Sequence, residues 1–485
     1  MSALKLCLLS AEMVPYAKTG GLADVTAGLS RFLAAEGHDV RVFLPFYDVI
    51  KSAGRDFTPV SFLTDVPVTL GGRTFRYTVR TDSAGEGDAG RYFIDCPALF
   101  HRGGIYTGGL DDALRFAVLT RATIEACQRM GFAPDVFHCS DWHTALLPLY
   151  LRVHYGWDRL FANSRTLLTI HNLGYQGVVS TQHLNALDLA GCADMLYQED
   201  LEAGRLSFLK TGFLYADFLS TVSRTYAREI QTPDFGFGLD GVLRARWDHL
   251  VGIVNGVDYG DWNPAEDPHL PAAYSVDDLS GKERCKQYLL ESLGLDYDPK
   301  VPVFGMVTRL TPQKGLDLLP GPVSELLGAH DVRLVMLGSG EPRYEAMLAD
   351  FQRRFPKKAC FFRGYSEPLA HLVEAGSDFF LMPSRYEPCG LNQMYSLRYG
   401  TVPIVRKTGG LADTVQLFDR QQGEGTGIVF DHFDADALRW ALLFALDLWR
   451  QPEALEQARR NAMNQDYSWQ SQGPQYVELY RRLVG

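Results

Sequence analysis

No apolar run in this chain reaches the roughly 18 residues that a membrane-spanning helix needs. The opening Met1–Leu9 passes almost directly into an apolar strand with a single Lys5 ahead of it, so neither a span nor a signal peptide is expected. A surplus of positive charge is missing too. Lys and Arg number 47 against 58 Asp and Glu, a formal charge of −11. A protein that grips a phosphate backbone needs a clustered basic surface, so a nucleic-acid partner is not expected, although local basic pockets stay open. Cysteines are few: the eight (Cys7, Cys96, Cys127, Cys139, Cys192, Cys285, Cys360, Cys389) are scattered, with no zinc-type Cys/His spacing. They look like the reduced, buried cysteines of a cytoplasmic protein. The 46 glycines and 24 prolines are roughly one residue in seven, too few for a low-complexity chain. What is present is an ordinary globular composition, 46% hydrophobic, over 485 residues, which predicts two or three domains.

The first 45 residues read as a βαβ opening: an apolar strand at 4–10, a glycine-containing loop, a helical pattern from Leu22 to Glu36, and a strand at 40–46. Residues 57–80 alternate about Gly71-Gly72 as a hairpin does, and 83–90 reads as a surface loop. Strand-like runs return at 91–95, 135–139, 166–170 and 218–222 with helical stretches between them, the pattern of a parallel doubly wound sheet. A segment rich in Pro, Asp and Trp at 258–271 lacks any period and is the linker candidate. After it come six further apolar runs, at 301–307, 332–338, 360–365, 378–384, 402–406 and 427–431, a second doubly wound α/β set. Trp469, Tyr476, Tyr480 and Leu483 stand at near-helical spacing in a final amphipathic helix.

One octapeptide occurs twice. KTGGLADV at 18–25 and KTGGLADT at 407–414 agree at seven of eight positions, each between an apolar strand and a helical pattern. The Thr-Gly-Gly turn therefore opens a helix, whose free N–H groups and dipole suit an anion or a sugar nucleotide. Glycines (Gly20, Gly21 and Gly409) let a ligand approach the backbone, and Lys18 or Lys407 adds a mobile positive charge. A repeated strand-to-helix cap with a solvated lysine is the structural alternative. Two copies, one per sheet, favour a shared cleft at the carboxyl ends of the strands.

Arg309 and Lys314 lie in the loop after the strand at 301–307, five residues apart. They could stabilise a departing nucleoside diphosphate without a metal, or be plain surface cations. Glu387, in EPCGLNQ at 387–393, belongs to a strand-to-helix turn, where it could face a sugar or merely favour the helix dipole. Cys389 reads as pocket-lining rather than reactive, because no histidine partner is evident. HCSDWHT at 138–144 and TIHNLGYQG at 169–177 both end strands, so Asp141, His143, His171 and Asn172 could project together. GSG at 338–340 is a weak dinucleotide fingerprint, with Arg343 where a third glycine would stand. Of the two Asp-x-Asp pairs, 296–298 lies in a loop and 434–436 reads as a helix cap, so no metal and no cofactor are expected.

Together KTGGLADV, SDWHT, TIHNLGYQG, VSRTYAREI with GFGLDGVL, GIVNGVD, TRLTPQKGLD, EPCGLNQMYSLRYGTVP and the second KTGGLADT stand in the order found in bacterial glycogen synthases and plant starch synthases. The chain resembles that family over nearly its whole length. The resemblance implies an α/β fold of two doubly wound Rossmann-like domains facing a cleft (GT-B), with a C-terminal helix returning to the first. It implies domains at 1–257 (acceptor side), 258–465 (donor side) and the helix at 466–485. The implied activity is transfer of glucose from ADP-glucose to the non-reducing 4-hydroxyl of an α-1,4-glucan, with retention and without metal. Carried over position by position, Glu387 resembles the essential glutamate, with Cys389, Gly390 and Leu391 lining the glucose pocket. His171 resembles the histidine touching the glucose ring, beside Asp141 and Asn255. Arg309 and Lys314 would grip the diphosphate, Tyr365 would stack on adenine, and Lys18 with Gly20 and Gly21 would reach the donor from the first domain.

Two positions depart from the pattern. Ser140 stands where Asn or His is expected, and Tyr395 stands where the wider retaining superfamily has a second glutamate, as in the glycogen synthase branch. A UDP-glucose-using relative and a catalytically silent glucan-binding protein are the competing readings. The joint presence of Lys18, His171, Arg309, Lys314 and Glu387 argues against the second.

Overall fold

The computed structural model describes residues 3–52, 54–82, 88–108 and 110–485. Most of the loop expected at 83–90 thus lies outside the described residues. The chain divides into two compact units, one formed by 1–256 with 469–485 and the other by 257–468.

The first unit is built on a ten-stranded sheet among the described residues. Its parallel part runs, edge to edge, Leu250–Gly252, Phe218–Thr221, Arg165–Ile170, Val136–Ser140, Lys5–Leu9, Asp39–Pro45 and Gly90–Asp95. The long strands are nearly continuous apolar runs because helices cover both faces. Past Gly90–Asp95 the sheet turns antiparallel through Arg73–Thr81 and its hairpin partner Val66–Leu70. Gly71 and Gly72 both take positive φ (57° and 74°), as a tight two-residue hairpin turn requires. The order reverses between Lys5–Leu9 and Val136–Ser140. The carboxyl ends of those strands, followed by Ser10 and Asp141, therefore flank the crevice where such sheets hold ligands.

The helix Gly21–Ala35 packs against the terminal helix Trp469–Val484, which belongs to the first unit. A Cβ at Gly28 would come within 1.9 Å of the Trp469 indole, and one at Gly473 within 2.3 Å of the Phe32 ring. The missing side chains let the two helices close on each other. Tyr480 of the terminal helix reaches His138, its hydroxyl 2.8 Å from Nδ1.

The second unit carries a six-stranded, wholly parallel sheet in the order Ala359–Arg363, Arg333–Gly338, Val303–Val307, Phe379–Met382, Val402–Arg406, Ile428–Phe430. Here the reversal falls between Val303–Val307 and Phe379–Met382. The loops that follow these two strands carry Arg309 with Lys314, and Glu387.

The segment read as a linker, 258–271, is instead packed into the second unit. Trp262 lies between the rings of His371 and Tyr395, each 3.7 Å away, and the Asp267 carboxylate accepts from the Tyr399 hydroxyl (2.6 Å) and lies 2.8 Å from His371 Nδ1. The segment is anchored through side chains, which leave no period in the sequence. Asp434 caps the helix Ala435–Trp449 by accepting from the Ala437 N–H at 2.8 Å, as expected.

Candidate active site

In the first unit, the loop between Lys5–Leu9 and Gly21–Ala35 is organised by Glu12, which is 3% exposed. Its Oε2 accepts from the backbone N–H groups of Thr19 (2.5 Å) and Gly20 (3.2 Å). Its Oε1 accepts from the Thr19 hydroxyl (2.6 Å) and the Tyr106 hydroxyl. The Thr-Gly turn of the first octapeptide is thereby fixed, with Gly20 extended at the helix cap and Gly21 as the first helical residue. Lys18 Nζ reaches Asp24 at 2.8 Å. No sequence pattern singled out Glu12. The available signal was an isolated acid among Ala11, Met13 and Val14, which burial tolerates only with partners.

Asp141 follows the strand Val136–Ser140 directly and takes φ of +56°, in the left-handed region where a side chain is strained. Its Oδ1 accepts from the backbone N–H of His171 (2.7 Å) and of Asn172 (3.2 Å), the residues after the neighbouring strand Arg165–Ile170. The structure thus brings together Asp141, His171 and Asn172. Burial raises the Asp141 carboxyl to about 7; the two N–H bonds oppose that rise, and the charge of Glu12 adds to it. Burial also lowers His171 to about 3, so its imidazole is held neutral, although the residue keeps part of its surface open. His143 and His138 are lowered to about 3 for the same reason. His143 stacks on Tyr106 with ring centres 5.1 Å apart. Ser140 lines a water-sized cavity of about 10 Å³ beside His171, His138 and Ser10. Asn255, three residues past the edge strand Leu250–Gly252, is buried with its Oδ1 lacking a hydrogen-bond partner.

In the second unit, Lys314 Nζ lies 2.7 Å from Glu387 Oε2, which also accepts from the Ser384 hydroxyl at 2.9 Å. The sequence placed these two residues on separate loops, and the reversal of strand order joins them. Arg309 is exposed on the same loop as Lys314, and Tyr365 is 59% exposed at the end of Ala359–Arg363. Cys389 is buried, while Gly390 (φ +76°) and Leu391 are half-buried ahead of the helix Asn392–Arg398.

Both glycine-rich motifs of this unit hold those loops in place. The Gly410 N–H donates to the Glu387 carbonyl at 3.0 Å, and a Cβ on Gly409 (φ +44°) would stand 1.9 Å from that same oxygen. Thr408 is fully buried. Lys407 is exposed and lies 3.6 Å from Asp431. The GSG motif does the same for the cation loop: a Cβ on Gly338 would be 2.1 Å from the Thr308 carbonyl, and the Leu310 N–H donates to the Ser339 carbonyl at 2.9 Å. The second octapeptide and the GSG thus seat the loops that carry Glu387, Arg309 and Lys314.

No cluster of three or more His, Cys, Asp or Glu suited to a metal occurs among the described residues. Among them, no helix is long and apolar enough to cross a membrane.

A family model described as "Starch synthase catalytic domain" matches residues 5–245, and one described as "Glycosyl transferases group 1" matches 295–464. The chain is 43% identical to Glycogen synthase 1 of Geobacter sulfurreducens over 490 residues, covering 100% of this chain and 97% of that one. It is 45% identical to the glycogen synthase of Myxococcus xanthus, covering 99% and 100%. Among solved structures, the catalytic domain of starch synthase IV from Arabidopsis thaliana, bound to ADP and acarbose, superposes with a TM-score of 0.93 at 35% identity over the whole of both chains. The fold is that of a glycosyltransferase of the GT-B class. Within it, the chain belongs to the family of glycogen and starch synthases.

Proposed function

We propose that the protein transfers glucose from ADP-glucose to the non-reducing 4-hydroxyl of an α-1,4-glucan, with retention and without a metal ion. The observation that carries this reading is the Lys314–Glu387 pair at the strand-order reversal of the second unit, in a chain of this family. In the reaction the bond from the anomeric carbon to the β-phosphate oxygen breaks, and a bond from that carbon to the acceptor oxygen forms. The acceptor proton passes to the departing phosphate oxygen, so ADP leaves with it. Arg309 and Lys314 offset the charge that develops on the diphosphate, and Glu387, held by Lys314 and Ser384, faces the glucose where positive charge develops. Cys389, Gly390 and Leu391 line the glucose, Tyr365 stacks on adenine, and Lys407, Thr408 and Gly409 support the donor. The second unit is then the donor domain. The first unit takes the acceptor and part of the donor, through Lys18, Gly20, Gly21, Asp141, His171, Asn172 and Asn255. A neutral His171 suits a hydrogen-bonding role to a sugar hydroxyl and not that of a charged group. All eight cysteines are free, which agrees with a reducing, cytoplasmic setting.

The test is incorporation of labelled glucose into glycogen from ADP-glucose and from UDP-glucose, each with and without EDTA. Strong, EDTA-resistant transfer from ADP-glucose is expected. Preference for UDP-glucose would sink the donor assignment, and no transfer by a folded sample that still binds ADP would favour a silent glucan-binding protein.

A further inference from the structure

We infer that Glu12 is a positioning residue for the donor: its carboxylate holds the Lys18–Gly20 turn in the orientation that ADP-glucose binding needs. This rests on the donor reading above.

Glu12 sits in the loop between the first strand and the first helix. Its two oxygens accept four hydrogen bonds, and three of them come from two consecutive residues of the octapeptide. The backbone between is a closed turn, with Ala17 and Met13 bridged and the Val14 N–H donating to the Ala23 carbonyl at 3.2 Å. Glu12 therefore ties residue 12 to residues 19 and 20 across a loop with little regular structure of its own. In the second octapeptide the Gly410 N–H donates instead to the Glu387 and Pro388 carbonyls, at 3.0 and 3.2 Å. In the first octapeptide a single side chain, Glu12, thus takes three hydrogen bonds from the Thr-Gly turn. A buried carboxylate near an anionic donor would repel it. Four donors converging on Glu12 offset that charge, and the fourth, Tyr106, has its phenol pushed well above its ordinary range by burial and by Glu12, so it stays a donor.

The chemistry separates positioning from charge. In Glu12→Gln the remaining oxygen can still accept from Thr19 and Gly20, while the new NH₂ can donate to the Thr19 and Tyr106 hydroxyls, which can turn to accept. Glu12→Ala leaves all four donors without an acceptor. The KM for ADP-glucose, the KM for glycogen and kcat are measured for wild type and both variants, together with calorimetric ADP affinity, which needs no turnover. The expected result is a donor KM and ADP Kd raised at least tenfold in Glu12→Ala, a glycogen KM within twofold of wild type, and recovery to within threefold in Glu12→Gln. Unchanged donor KM and ADP Kd in Glu12→Ala would overturn the inference, as would both variants raising both KM values alike, which marks a merely structural acid. If Glu12→Ala does not fold, Thr19→Val removes one of the four bonds: a three- to fivefold rise in ADP Kd supports the role and no change overturns it. Failure of wild type to use ADP-glucose would instead remove the donor reading, leaving the ADP Kd ratio to judge Glu12.

Discussion

Lys314 and Glu387 are both largely buried, so each is the other's principal compensation for leaving water. Removing one partner of such a pair costs more than removing both, because it strands the survivor. Lys314→Met is therefore expected to destabilise the second unit by up to about 3 kcal/mol. Adding Glu387→Gln should restore much of the loss in a thermal melt, while glucose transfer stays down by about 10²–10³ in both, the typical effect of deleting one electrostatic stabiliser. A double variant melting no higher than the single would show that the pair's environment, and not its charge, sets the stability. The loops that carry these residues were legible in the sequence because strand ends followed by Gly, Pro and charged residues mark the carboxyl edge of a parallel sheet. Two features were not. The left-handed backbone of Asp141 goes with hydrogen bonds from the N–H groups of His171 and Asn172, 30 and 31 residues away, and Glu12 acts through bonds to its own loop that no spacing rule encodes.

Glycines govern what the elements can do. Gly409→Ala places a Cβ where the Glu387 carbonyl stands, at a φ that already disfavours a side chain, so the loop must shift. Transfer is expected to fall at least tenfold with ADP affinity reduced less, and activity near wild type would show that the EPCG loop tolerates displacement. Gly28→Ala is a purely structural counterpart. It gains roughly 1 kcal/mol of helix propensity but drives a methyl into the Trp469 ring, and overpacking of that kind costs about 1–3 kcal/mol. A net loss in denaturant midpoint is expected; a gain would mean the terminal helix can slide. The long parallel strands were readable as apolar runs. The short pair Val178–Ser180 with Arg205–Ser207 and the edge strand Leu250–Gly252 were not, since three residues hold no period. The 258–271 segment misled for a different reason: Pro, Asp and Trp signal an irregular path, and the signal is silent about whether that path is free or anchored, as it is here by Trp262 and Asp267.

For the molecule as a whole, protonation is the coarse control on stability. His138, His143 and His171 are held neutral by burial to about 3, so the unfolded chain binds protons there first as pH falls below about 6.5, and stability is lost toward acid. Asp141 works the other way: with its carboxyl raised to about 7, its contribution is fullest at low pH and fades between about 4 and 7. Among these four groups, three against one leave an uptake of about two protons on unfolding between pH 4 and 6, a contribution that rises with pH by roughly 3 kcal/mol per unit there. All four groups lie in the first unit. In calorimetry across pH 4 to 6 its melting temperature should rise with pH, and a flat profile would show that the histidines are not kept neutral. In the second unit, burial lowers Lys282 to about 7, which favours stability as pH climbs from 7 towards 10.

Of the seven tryptophans, Trp262 and Trp469 are the ones buried to below a tenth of their surface, one in each unit. Trp157 and Trp247, by contrast, are open to water. Each unit therefore carries its own optical reporter. Replacing one buried indole at a time makes the red shift of intrinsic emission on unfolding attributable to one unit or the other. Trp262, stacked between an imidazole and a phenol, should be the dimmer of the two.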